Sequence, residues 1–113
     1  MAHDPSRVVV PGAEICLLLG AEDDPATVDN FDVVVTLDDG TRWSATLLTL
    51  PAVQRVMDRW RTTGENLAGD FFQCQDLVIL RHPGVAAATD VLRRLVENGE
   101  VRYTLVQLVG EDE

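Results

Sequence analysis

The chain has 113 residues, 46% of them hydrophobic, 25% charged and 5% aromatic, with nine basic residues against 19 acidic ones and a formal net charge of -10. That length holds one domain and no second core, and that apolar fraction belongs to a chain that folds, so the acidity does not mark disorder. A phosphate backbone or an anionic membrane surface would be repelled by such a charge, which disfavours nucleic-acid and membrane partners.

Two apolar, β-branched runs, 6–10 and 14–19, are parted by Pro11 and Gly12 and predict two short strands. Neither these nor any later apolar run approaches the roughly 18 residues that span a bilayer. The first residues lack a basic region followed by an apolar segment, so a cytoplasmic location is expected. Residues 20–30 are polar and acidic, contain Pro25, and read as a loop.

The clearest local pattern follows. Phe31, Val33, Val35 and Leu37 alternate with polar residues, and Trp43, Ala45 and Leu47 do the same, as two strands with one buried face require. A two-residue loop Asp39-Gly40 would set Leu37 opposite Arg42 and Val35 opposite Ser44, apolar against polar. A three-residue loop Asp38-Asp39-Gly40, with Gly40 left-handed, instead pairs Val35 with Trp43, Val33 with Ala45 and Phe31 with Leu47. The second register is therefore predicted, with Thr36 beside Arg42 on the outer face.

Leu50, Val53, Val56, Met57 and Trp60 recur at helical spacing, with Pro51 near the start and Gly64 at the end, so a helix is predicted from about 51 to 64 with these five inward. Residues 65–70 read as a connecting loop. The stretch 71–81 reads as a strand, and its unbroken Leu77-Val78-Ile79-Leu80 suggests burial on both faces and a central place in the sheet. After His82-Pro83-Gly84 a second helix is predicted with Val85, Ala88, Leu92, Leu95 and Val96 inward, outward pairs Asp90–Arg94 and Arg93–Glu97, and a stop at Asn98-Gly99. Residues 101–109 read as the last strand.

These elements predict a single α+β domain over residues 1–113: a mixed, largely antiparallel sheet of about five strands with two helices packed on one face. Flexible termini are expected at 1–6 and 111–113.

Few residues suggest chemistry. Cys16 and Cys74 lie in apolar, strand-like sequence and read as buried free thiols, since one possible bridge is not the disulfide framework of a small secreted domain. Cys74 and His82 stand eight residues apart on a predicted strand, roughly 26 Å, so they cannot form a nucleophile–base pair. The spacing of histidines and cysteines fits no zinc motif. The acidic loop 22–30 lacks the glycine and the bidentate glutamate of an EF-hand, and no glycine-rich phosphate cradle is present. No catalytic residue, metal ligand or cofactor is therefore assigned. Were the chain an enzyme, Glu65, Asp70 and Asp76 would be its acid/base groups.

All nine basic residues are Arg, which with abundant Ala, Val and Leu suggests a bacterial source of high GC content. The charge is uneven: residues 1–40 carry nine acids and one Arg, residues 41–110 seven acids and eight Arg, and 111–113 three more acids. Glu22, Asp23, Asp24 and Asp29 are thus candidate contacts for a basic protein partner on an acidic front over residues 14–39. Glu65, Asp70, Phe71 and Phe72 form a second candidate interface. Adjacent phenylalanines on a strand point to opposite faces, so one of them is expected outward.

The segments Asp39-Gly40-Thr41-Arg42-Trp43-Ser44-Ala45-Thr46 with Thr49, and 64–72 ahead of Asp76, resemble a group of small bacterial proteins of unknown function over residues 32 to 81. That likeness implies a bacterial, single-domain, cytoplasmic protein and carries no activity or cofactor. Size and acidity are also similar to those of small immunity proteins that neutralise bacterial toxins. A non-enzymatic, immunity-like protein-binding module is accordingly the leading expectation. The alternative is a structural or regulatory homo-oligomer, self-associating through 77–80 and one of the two phenylalanines.

Overall fold

The hairpin at the centre of the fold has the register that alternation predicts. In the computed structural model, which describes residues 6–109, strands β3 (Asn30–Leu37) and β4 (Arg42–Thr49) pair Val35 with Trp43, Val33 with Ala45, Phe31 with Leu47 and Thr36 with Arg42. Gly40 sits at φ 88° and its N–H donates to the Leu37 carbonyl at 2.9 Å, as a three-residue loop needs. The predicted flexible ends, 1–6 and 111–113, lie outside the described residues except for Ser6. The Ser6 carbonyl accepts the Leu17 N–H at 2.6 Å.

Strands β1 (Arg7–Val10) and β2 (Ala13–Leu18) extend the meander on the far side of β3, all antiparallel. After helix α1 (Leu50–Thr63) and the short turn α2 (Glu65–Gly69), strand β5 (Leu77–Leu80) returns parallel to β4. Helix α3 (Val85–Glu97) and the short helix α4 (Val101–Thr104) then lead to β6 (Val106–Leu108), antiparallel to β4. The fold is α+β, a largely antiparallel sheet of six strands in the order β1-β2-β3-β4-β5, with β6 beside the first half of β4. Among the described residues no helix is long and apolar enough to cross a membrane.

The main core joins Ile15, Leu17, Phe31, Val33, Val35, Ala45 and Leu47 to Ala88 and Leu92 of α3, and to Val101 and Leu105. Alternation turns Leu48 away from Leu47, and Leu48 builds a second cluster with Ala52 and Val56 of α1, against which Val53, Trp60, Phe72 and Leu77 pack. Both long helices keep most of their expected inward positions, and the predicted pairs on α3 form, with Arg93 3.0 Å from Glu97 and Arg94 3.4 Å from Asp90.

Four expectations need correction. Leu50 is 67% exposed, because Thr49 caps α1 by accepting the Ala52 N–H at 3.2 Å, and this places Ala52 on the buried side instead. Residues 71–76 form no strand, since the chain bends where the Leu77 N–H meets the Cys74 carbonyl at 3.4 Å. β5 lies at the end of the sheet order, not at its centre: Leu80 enters the core, but Ile79 is 48% exposed. Residues 101–109 open as a helix because Val101 and Leu105, four apart, are both buried, with the Leu105 N–H donating to the Val101 carbonyl at 2.9 Å.

Candidate functional site

The acidic front does not form one surface. Its carboxylates divide between the two ends of β3, roughly 23 Å apart at about 3.3 Å per residue. At one end the loop between β2 and β3 holds Glu22, Asp23, Asp24 and Asp29; at the other, the hairpin tip holds Asp38 and Asp39.

Short acidic side chains shape that loop by capturing its own backbone. Asp23 Oδ2 accepts the Gly20 N–H at 2.7 Å, and Asp24 Oδ1 accepts the Ala26 N–H at 2.9 Å. The start of α3 secures it from below, the Val85 N–H donating to the Pro25 carbonyl at 2.8 Å and the Gly84 N–H to that of Val28 at 2.7 Å. Asp29 is spent internally: both its carboxylate oxygens lie 2.7 Å from Nη2 of Arg55 on α1, and Thr49 Oγ1 donates to it at 3.4 Å. Glu22, Asp23 and Asp24 are exposed and join no ion pair among the described residues. No three His, Cys, Asp or Glu side chains among the described residues are grouped to hold a metal ion.

The second candidate interface is divided as well. Phe72 stacks on Trp60, ring centroids 5.5 Å apart and planes 14° from parallel, so it supports α1. Phe71 is the outward member of the pair, at 44% exposure. Glu65 and Asp70, both exposed, flank a turn in which Asn66, Leu67 and Ala68 take φ values of 50°, 55° and 59°. Three consecutive non-glycine residues in the left-handed region cost on the order of 1–2 kcal/mol each. This turn presents Leu67 at 73% exposure beside a polar cleft of about 540 Å³ that includes Gln54, Asp58, Arg61 and Asp70.

Asp76, the third acid/base candidate, is held by groups its neighbourhood in the sequence does not announce. Ser44 Oγ donates to it at 2.7 Å, Thr46 Oγ1 at 2.8 Å and Cys74 Sγ at 3.3 Å. Partial burial works to raise its pKa, but the donors from Ser44, Thr46 and Cys74 together outweigh it and hold the carboxyl below the usual range. A carboxylate so held is poorly suited to give up a proton as a general acid at neutral pH. Neither Glu65 nor Asp70 is among its partners. Both cysteines are free and half-buried, and His82 is exposed.

A further grouping was not anticipated from the sequence. At the hairpin tip Asp39 Oδ1 accepts the Thr41 hydroxyl at 2.6 Å and the Thr41 N–H at 2.9 Å, while Trp43 Nε1 donates to Thr41 Oγ1 at 2.9 Å. These donors, chiefly the Thr41 hydroxyl, and the charge of Arg102 lower the Asp39 pKa. Asp39, Trp43, Arg102 and Gln107 line a cleft of about 370 Å³. The signal available was the Asp39-Gly40-Thr41 turn. Arg102 reaches the cleft from helix α4, where the sequence pattern predicts a strand.

Each of these surfaces can bind by charge, by hydrogen bonds or by apolar contact. Set against known protein-family models, curated proteins and solved structures, the chain matches none of them.

Proposed function

We propose that this protein is a non-enzymatic, immunity-like binding module of the bacterial cytoplasm, which meets a basic protein partner through the loop carrying Glu22, Asp23 and Asp24. One observation carries the reading. The three carboxylates stand exposed and, among the described residues, without an ion-pair partner, on a loop whose backbone the side chains of Asp23 and Asp24 and the start of α3 already fix. Ordering costs are therefore small when a cationic surface arrives, and the field of a chain with net charge -10 speeds the encounter. The same field opposes nucleic acid and anionic lipid.

The test is affinity capture from native lysate at low salt with the whole chain and with a Glu22→Gln, Asp23→Asn, Asp24→Asn variant. That variant removes three charges and keeps an acceptor oxygen for each backbone N–H. A basic protein recovered by the natural chain and lost with the variant supports the reading. Recovery of no partner at low salt, or equal recovery by both chains, overturns it.

A further inference from the structure

The sheet ends in β5, whose outer edge is open, apolar and self-complementary. We infer that this edge pairs antiparallel with β5 of a second copy of the chain, continuing the sheet across a two-fold axis at Ile79. The inference is independent of the basic-partner reading, since it uses another surface and another measurement.

Backbone direction supplies the first argument. The Thr46 N–H donates to the Asp76 carbonyl at 2.9 Å, so Asp76, Val78 and Leu80 direct their N–H and C=O groups toward β4. Those of Leu77 and Ile79 point the other way. The Leu77 N–H is taken by Cys74, but Ile79 makes no backbone hydrogen bond outside the strand ladder among the described residues. Exposed edges are ordinarily blunted by a charge, a proline or a bulge. Here β1, the opposite edge, contains Arg7 and is followed by Pro11, whereas the four residues of β5 are Leu, Val, Ile and Leu.

Register supplies the second. With the axis at Ile79, each Ile79 faces its equivalent, Val78 faces the partner's Leu80, and Leu77 faces the partner's Arg81. Facing residues stay an even number apart in sequence, so side chains keep to their own face of the sheet. The two Ile79 residues exchange a pair of N–H···O=C bonds. Side-chain burial favours the same arrangement: Ile79, 48% exposed, and Leu50, 67% exposed, line one shallow cleft of about 260 Å³ beside the edge.

Charge does not oppose a second copy. The Asp76 carboxylate is turned to Ser44, Thr46 and Cys74, and with the axis at Ile79 the partner's Arg81 meets Leu77, so no like charges face one another along the edge. Residues 41–110, to which the edge belongs, hold seven acids and eight Arg, so the excess negative charge of the molecule is carried elsewhere.

Sedimentation equilibrium of the full chain over a range of concentrations tests the inference. The expected mass rises to twice 12.4 kDa. Ile79→Pro removes the outward N–H without touching the bonds to β4, and Ile79→Lys adds a charge to the edge; each should weaken dimerisation by about tenfold or more. Circular dichroism establishes that a variant is folded, and the lysine variant stands in should the proline variant not fold. In a Cys16→Ser, Cys74→Ser background, Ile79→Cys should oxidise to a covalent dimer, because hydrogen-bonded antiparallel partners hold their Cα atoms about 5.5 Å apart, within disulfide reach. A monomer at every concentration overturns the inference. So does a dimer that persists at full strength in a folded Ile79 variant, which would place the interface elsewhere.

Discussion

Thr46 and Asp76, 30 residues apart, are joined twice: the Thr46 N–H donates to the Asp76 carbonyl at 2.9 Å and the Thr46 hydroxyl to its carboxylate at 2.8 Å. The first bond belongs to the parallel ladder, the second to a side-chain lock at the point where β5 joins the sheet. Ser44 and Cys74 complete that lock. Asp76 thus serves to fix the entry of β5, the place where a long-range pairing begins.

Replacing Asp76 with Ala should therefore destabilise the fold by roughly 1–3 kcal/mol in urea unfolding, since two hydroxyls lose a charged acceptor. The pH dependence has a definite sign. Its folded pKa is lowered, so its contribution is complete above the unfolded value near 3.9 and is lost as pH falls through the folded value. Asp76→Asn should accordingly differ most from the natural chain above about pH 4 and converge with it in stronger acid. A difference that stays constant through the acid range would show that the charge contributes nothing.

Gly69 and Gly40 share a left-handed backbone, at φ 85° and 88°, but not the same surroundings. A Cβ on Gly69 would lie 2.2 Å from the Met57 carbonyl oxygen, whereas nothing lies within 4 Å of one on Gly40. Gly40→Ala should cost about 1 kcal/mol for conformation alone, and Gly69→Ala should cost several-fold more by forcing α2 away from α1. The converse holds one residue earlier: Ala68→Gly relieves a left-handed alanine and should stabilise by up to about 1 kcal/mol after the entropy of the added glycine is subtracted. Chemical denaturation of the three variants provides the comparison. Equal losses for both alanine variants would mean that α2 does not rest on α1.

The parts of this fold legible in the sequence are those decided within about fifteen residues. The β3–β4 register follows because only one loop length sets Val33 and Val35 against Ala45 and Trp43. Helices α1 and α3 follow from apolar spacing and from Gly64 and Asn98-Gly99. Long-range choices leave no such trace. That Leu77-Val78-Ile79-Leu80 ends the sheet depends on β4, which meets it only after two intervening helical segments. Val101 to Val109 is β-branched enough to read as a strand, yet Val101 and Leu105 at a spacing of four decide for a helix. The candidate site divides in the same way. Counting charge along residues 14–39 cannot reveal that β3 separates its two ends, that Asp29 faces Arg55, or that Ser44 and Thr46 turn their hydroxyls to Asp76.

Arg55 fastens the acidic loop to α1 through Asp29, at 2.7 Å to both carboxylate oxygens. The guanidinium side chain is 60% exposed, so its attraction is screened and Arg55→Ala should cost less than about 1 kcal/mol of global stability. Its local effect should be larger. Released from α1, the loop opens more often, and amide exchange at Ala26 and Val28, which bond within it to Asp24, should quicken while amides of β3 and β4 stay protected. Added salt should bring the natural chain toward the variant. Unchanged exchange at Ala26 and Val28 would leave the bonds to α3 as sufficient to hold the loop.

Phe71 and Phe72 separate structural from binding roles most sharply, because they are adjacent, chemically identical and differently placed. Phe72 stacks on Trp60 and packs against the cluster of Leu48, Ala52 and Val56, whereas Phe71 is 44% exposed. Removing a half-buried, stacked ring forfeits area and ring–ring attraction, so Phe72→Ala should destabilise by about 2–3 kcal/mol, below the range for a fully buried phenylalanine. Trp60 loses its stacking partner in the same variant, which a change in tryptophan emission should report. Phe71→Ala should alter stability by no more than about 0.5 kcal/mol, as surface substitutions do. If Phe71 contributes to a protein interface, its loss should appear in partner capture and not in unfolding. Comparable destabilisation by both variants would instead place Phe71 in the packing of the fold and remove it from the binding surface.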